Sequence, residues 1–360
     1  MRADRRLHER AAMPRQRLHP FLASLTSPIL LLSCAQDGQP PPATSTVSDR
    51  PAGEVRLYVA DRYDGVLRLD PHTLAVLDTI RTGPRPHGLI ASPDGRTLYI
   101  TVETSNELLK VDVATHEILA RVDVGPVPNE PTISRDGRHV FVPQRGGDQT
   151  VVVETATMTV VRSLPAGREQ HNSYTSADGR HIYVTSLADS MITVIDADSL
   201  EVLRNIRMPG IPRVIAFTAD DSLAFVTMSG MIGFVTLDLH ADRVIDRLEL
   251  SIPEGTPPPL LDTYTHGVLL TPDERELWIA VYATDRVHAF TLPGNSPLAD
   301  LAIAQGPHWF TLHPDAEPLY VSLERAGQVA AIHRGLRTVQ VRADVGQAPT
   351  RILAFRASVN

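Results

Sequence analysis

The chain has 360 residues, 42% of them hydrophobic, which is enough for a sizeable core in one large or two ordinary domains and excludes wholesale disorder. Forty-two acids against 34 basic residues leave a net charge of −8; nucleic acid is not expected as a partner, because neutralising phosphates needs a basic face. The lone cysteine, Cys34, excludes an internal disulfide framework and a multi-cysteine metal knuckle, and 29 Pro with 22 Gly suit many short strands.

The first segment reads as a processing signal. Six Arg lie within residues 1–17, and an apolar stretch from Phe21 to Leu32 follows that is too short to span a membrane. It ends Leu31-Leu32-Ser33-Cys34, which resembles the bacterial lipobox. That resemblance implies cleavage after residue 33, a lipid on Cys34 and a cell-envelope protein facing the periplasm. With Ala35 rather than Asp next, it implies outer-membrane sorting in a Gram-negative host. Met13 is an alternative start that would give the shorter leader usual for such signals. Residues 34–54, rich in Pro, Ser and Thr without apolar periodicity, read as a flexible tether.

From residue 55 a period takes over. Asp94, Asp136, Asp178 and Asp220 are each 42 residues apart; Asp273 follows after 53 and Asp315 after 42. Asp70, Asp112, Glu154, Asp196 and Asp238 keep the same step, so seven units fill 55–360, with an 11-residue insertion near 251–262. Each unit shows four β-rich runs between polar turns, the pattern of a propeller blade. No unit carries a Trp-Asp dipeptide. Runs such as LYVA, LYITV and IYVTS, with their Pro/Gly and SPDG lead-ins, resemble the YVTN-repeat, YncE-like propellers, in the superfamily of the haem-d nitrite reductase and nitrous oxide reductase propellers. The fold expected is all-β: a seven-bladed β-propeller of four-stranded blades. Because the first unit starts at its second strand, RLYVA (56–60), the last run, TRILAF (350–355), is expected to complete that blade and close the ring. A monomer is expected.

The periodic carboxylates sit where Asp caps its own turn, before Gly or three residues before Thr/Ser, and are assigned to blade structure. The informative column lies eight residues before the Gly of each Asp-Gly turn: His87, Asn129, His171, Arg213, His266, His308 and Thr350, preceded by Pro in five units. Only 14 of 360 residues are His, so four in one column of seven is not a product of composition. This column enters the innermost strand, where propeller geometry turns it toward the axial funnel. Convergent imidazoles at His87, His171, His266 and His308 suit a transition metal such as copper, iron or zinc. The arrangement is similar to the four-His iron of carotenoid-cleaving oxygenase propellers and the copper propeller of nitrous oxide reductase, although the other motifs of both families are missing. Arg213 beside a metal is unfavourable and suits an anion instead, with Asn129 and Arg351 as further ligand-binding candidates. Plain hydrogen bonding in a water-filled funnel is the structural alternative.

Glu130 is the candidate general base, and the turns carrying Asp61, Arg62, Tyr63, Glu103, Arg145, Tyr282, Glu324 and Arg325 should ring the same face, as should the insertion. His139 and His181, at the head of a strand, should lie away from it. No GxSxG, phosphate loop, CxxC or dinucleotide fingerprint is present. Three functions follow: a binding protein for a ligand, metal or partner at the funnel, a metal-dependent oxidoreductase or lyase, or a scaffold whose rim holds an envelope protein.

Overall fold

The computed structural model describes residues 53–259 and 263–358. The expected signal at 1–33, the lipidation site Cys34 and nearly all of the tether at 34–54 lie outside the described residues. Twenty-eight strands, numbered β1 to β28 in chain order, form seven antiparallel four-stranded sheets. The first sheet contains β1 (Glu54–Asp61), β2 (Gly65–Leu69) and β3 (Val76–Ile80), and its innermost strand is β28 (Pro349–Ala357), in the order β28-β1-β2-β3. Leu57 faces Ala354 and Val59 faces Ile352. The strand that contains TRILAF therefore completes the first blade and closes the ring, as the sequence predicts. The other innermost strands are β4 (Pro86–Ala91), β8 (Thr132–Ile133), β12 (Gln170–Thr175), β16 (Pro212–Phe217), β20 (Thr265–Leu270) and β24 (Pro307–Leu312).

One aromatic per blade holds neighbouring blades together. Tyr58, Tyr99, Phe141, Tyr183, Phe225, Trp278 and Tyr320 occupy the same position of the second strand, and all are buried. Each belongs to a different apolar cluster, and each cluster joins two consecutive sheets. Tyr58 packs with Leu98, Ile100 and Leu109 of the next blade, and Phe141 with Ile182 and Val184. Trp278 packs with Leu319 and Val321. Burying such a ring stabilises by roughly 1.5–3 kcal/mol, which makes this column a main source of ring cohesion. Polar stitches reinforce it: Tyr58 bonds His116 Nε2 at 2.9 Å, and His116 Nδ1 lies 2.6 Å from Asp78.

The periodic carboxylates behave as turn caps. Asp94 accepts from Ser92 Oγ at 2.5 Å and from the Arg96 amide at 3.1 Å. Asp70 accepts from the His72 and Thr73 amides at 2.9 and 2.7 Å. The Ser92 hydroxyl at Asp94 and the Thr73 amide at Asp70 chiefly favour the charged form and hold both carboxyls below the ordinary range. None is left over for chemistry.

Candidate functional site at the axial funnel

The column of seven leaves the β-ladder at a bulge. Pairing of the innermost strand with its neighbour slips between Pro86 and Leu89, Gln170 and Ser173, Pro212 and Ile215, Thr265 and Val268, and Pro307 and Phe310. The residues skipped include His87, His171, Arg213, His266 and His308. A hydroxyl from the second strand stitches the slip in four blades: Thr101 Oγ1 accepts from the Gly88 amide at 2.8 Å, Thr185 from Asn172 at 3.1 Å, Thr227 from Val214 at 3.1 Å and Ser322 from Trp309 at 3.1 Å. A bulge re-aims a side chain without breaking the sheet. Here the same five ring residues all line one axial cavity of about 250 Å³.

Sixteen residues after six of the ring positions, the same blade returns to the rim with a second column, Glu103, Arg145, Leu187, Ser229, Tyr282 and Glu324; in the blade that Thr350 completes, Arg62 takes this place. Several touch their ring partner. His87 Nε2 lies 3.8 Å from Glu103, His308 Nε2 lies 3.9 Å from Glu324, and Arg213 Nε donates to Ser229 Oγ at 2.8 Å. Arg62, Arg145, Tyr282 and Glu324 line the cavity as the sequence predicts, and so do Pro259 and Thr263 on either side of 260–262 in the insertion. His139 and His181 start β9 (His139–Pro143) and β13 (His181–Ser186), away from the cavity lining.

The four imidazoles are held in pairs. His266 and His308 stack with centroids 3.6 Å apart and planes 29° from parallel, whereas His87 and His171 meet edge to face at 6.1 Å. Among the described residues, no three His, Cys, Asp or Glu are grouped to hold a metal ion. In all four rings Nδ1 is buried without a hydrogen-bond partner. Burial holds each imidazole well below its ordinary pKa. Arg351 adds to this at His87 and His308, Arg213 at His171, and His308 at His266. At neutral pH all four are therefore neutral, each with one N–H and one lone pair to offer.

Asn129 and Thr350 complete the column but do not reach the cavity. Asn129 Nδ2 lies 3.4 Å from Glu103, and Thr350 Oγ1 donates to the Ala60 carbonyl. Behind the ring, the next residue of each unit forms a plug. Arg351, 1% exposed, donates from Nε to Glu130 at 2.5 Å and from Nη2 to Asn172 at 3.0 Å, and its guanidinium lies 3.7 Å over the Trp309 ring. Its reach to Asn172, three blades away, crosses the axis. Glu130 is aimed there because Pro131 has no N–H to pair within its own blade. The strand instead bonds sideways: the Glu130 amide donates to the His171 carbonyl, and the Ser173 amide donates to the Glu130 carbonyl. Gly88 accommodates this crossing, since a Cβ there would strike the Pro131 ring. Burial pushes the Glu130 carboxyl up to about 7 against the opposing pull of Arg351. The structure thus brings Glu130 and Arg351 together in the plug and keeps both out of the cavity lining.

Comparison with known proteins now bears on the fold. A family model described as a YNCE-like beta-propeller matches residues 52–256. The chain belongs to this family. No curated protein sequence matches it significantly. Among solved structures, this YNCE-like propeller is similar to Kuenenia stuttgartiensis hydrazine synthase (TM-score 0.66, 18% identity, 76% of this chain and 96% of that one). It is likewise similar to the periplasmic gluconolactonase PpgL of Pseudomonas aeruginosa (TM-score 0.68, 17% identity, 85% and 100%). The dihydro-haem d1 dehydrogenase NirN aligns with TM-score 0.62 and 15% identity over 82% of this chain and 65% of NirN. At these identities the likeness is one of fold.

Proposed function

We propose that this YNCE-like propeller is a binding protein that holds a small anionic molecule in its axial funnel without turnover. One observation carries the reading: Arg62, Arg145 and Arg213 line the same cavity as four imidazoles whose buried Nδ1 atoms have no hydrogen-bond partner among the described residues. Arg62 is matched by Glu324 at 2.8 Å. Guanidinium groups and neutral imidazole N–H groups are donors, and they match carboxylate or phosphate oxygens.

A metal held by the imidazoles, serving an oxidoreductase or lyase, is the second reading. Their neutral state and free Nδ1 atoms favour it. Their division into two pairs and the neighbouring Arg213 weigh against it.

The sign of the pH dependence separates the two. An anion raises the depressed imidazole pKa values on binding, so protons are taken up and affinity rises as pH falls from 8 to 6. A metal needs neutral imidazole, which these residues already are over that range, so its affinity does not rise there and falls only once pH reaches their lowered pKa values. Calorimetric titration with phosphate, benzoate, copper and zinc measures this. Arg145→Gln is expected to weaken anion binding by roughly 10- to 100-fold, the scale of a charge-assisted hydrogen bond. Undiminished anion affinity in that variant overturns the reading.

The proposal extends to location. The Leu31-Leu32-Ser33-Cys34 motif supports a lipid-anchored envelope protein, outer-membrane in a Gram-negative host. Cys34→Ser should release the protein to the soluble fraction, and retention of the variant on membranes after an alkaline wash would refute the anchor.

A further inference from the structure

The two sides of the funnel differ in kind. On one side, three consecutive blades supply Arg145, His171 and Arg213. Arg145 makes no side-chain hydrogen bond or ion pair to another described residue. All three line the one cavity, and both arginines help to depress His171. From the next two blades the lining is flat: His266 stacked on His308 at 3.6 Å, with Tyr282 edge-on to His308 at 6.2 Å. Arg325 covers the Tyr282 ring at 4.7 Å, and it also bonds the Tyr282 carbonyl and Asp285, so the phenol is pinned in place. The carboxylate on that side, Glu324, is already matched by Arg62.

Resting on the anion-binding reading above, we propose that the ligand is a flat conjugated acid: a small aromatic or heteroaromatic carboxylate. Its carboxylate meets Arg145 with the His171 imidazole beside it. Its ring lies against the His266–His308 stack and Tyr282. The cavity of about 250 Å³ accommodates a one-ring or fused two-ring acid. Aromatic faces prefer offset or edge-on partners over aliphatic rings of equal size, so the flat wall discriminates by shape while Arg145 discriminates by charge. A non-planar acid keeps the second interaction and loses the first. A neutral aromatic keeps the first and loses the second.

The test uses benzoate, cyclohexanecarboxylate and benzyl alcohol as probes, titrated by calorimetry into the full chain. The variants are Arg145→Gln and Tyr282→Leu, both at half-buried rim positions, with thermal melts to show that each stays folded. Benzoate should bind roughly three- to tenfold more tightly than cyclohexanecarboxylate, and benzyl alcohol should bind weakest. Tyr282→Leu should bring the two acids together, whereas Arg145→Gln should weaken both by the same factor. Two acids that bind equally well to the wild type, and both lose affinity in Arg145→Gln, overturn the flat-wall inference and leave anion binding standing. No binding by either acid, or by phosphate, overturns both.

Discussion

Deleting residues 349–360 is expected to abolish the cooperative melt and send the protein into aggregates. The deletion removes β28, the inner partner of β1, and uncovers the fully buried Leu57, Tyr58 and Val59 along an unpaired edge. Domains of ordinary stability have a margin of about 5–15 kcal/mol, and loss of the strand that joins first and last blades exceeds what such a margin absorbs. The effect belongs to pairing and not to chain length, which a second variant shows. Glu54 faces Ala357 in the register, so moving residues 349–357 in front of Glu54 through a two-residue hairpin turn should restore a melt close to that of the wild type. A truncated protein that melts like the parent would refute the topology. Failure of the permuted chain alone would place the fault in the new turn.

Arg351→Leu is expected to cost about 3–5 kcal/mol, measured by denaturant titration, because Glu130 is left buried with no countercharge. Replacing both partners, Glu130→Leu with Arg351→Met, should cost much less, since a buried pair exchanged for apolar groups leaves nothing unpaired. The pH dependence supplies a check. Glu130 already titrates near 7, above its unfolded value, and removing Arg351 raises it further. The folded variant then binds more protons than the unfolded chain between the unfolded carboxylate range and that raised pKa. Its stability is therefore greater at the acid side of this window and is lost as pH rises through it. The deficit of Arg351→Leu should therefore shrink as pH falls from the variant's raised pKa toward about 7, where Glu130 of the parent takes up the same proton. A deficit that does not change with pH would mean that Glu130 is not the stranded charge.

The fold was legible because every blade repeats its signals. The 42-residue step, the turn Asp residues and the leftover TRILAF each encode a local fact that holds whichever way the sheets pack. The aromatic column was present in the same runs, as in RLYVA, HVFVP and LWIAV, although its role between blades appears only once the sheets stand side by side. The ring was legible for the same reason, since one column at a fixed phase must face the axis. The plug was harder to see. Glu130 and Arg351 are 221 residues apart and belong to different blades, and their pairing depends on a Pro that diverts one strand sideways. Nor does spacing encode how wide the funnel is, and that width decides whether four imidazoles meet at a point or divide into pairs. The rim residues follow from the turn that carries them, and their fixed offset from the ring is a further signal that the sequence holds.

That offset bears on how such a protein changes over evolutionary time. The axial cavity is lined from five bulges, at His87, His171, Arg213, His266 and His308, and from four turns, at Arg62, Arg145, Tyr282 and Glu324, while hydroxyl stitches and interblade aromatics hold the backbone. Recognition is thus divided among single positions spread over the blades, each open to point mutation on a scaffold held elsewhere. Exchange of a His for an Arg at one of them, the difference between position 213 and positions 171 and 266, alters what the funnel accepts while the scaffold stays the same. Relatives with the same fold and low identity then need not share a ligand, and these nine residues are the part of the sequence in which a difference of ligand would be written.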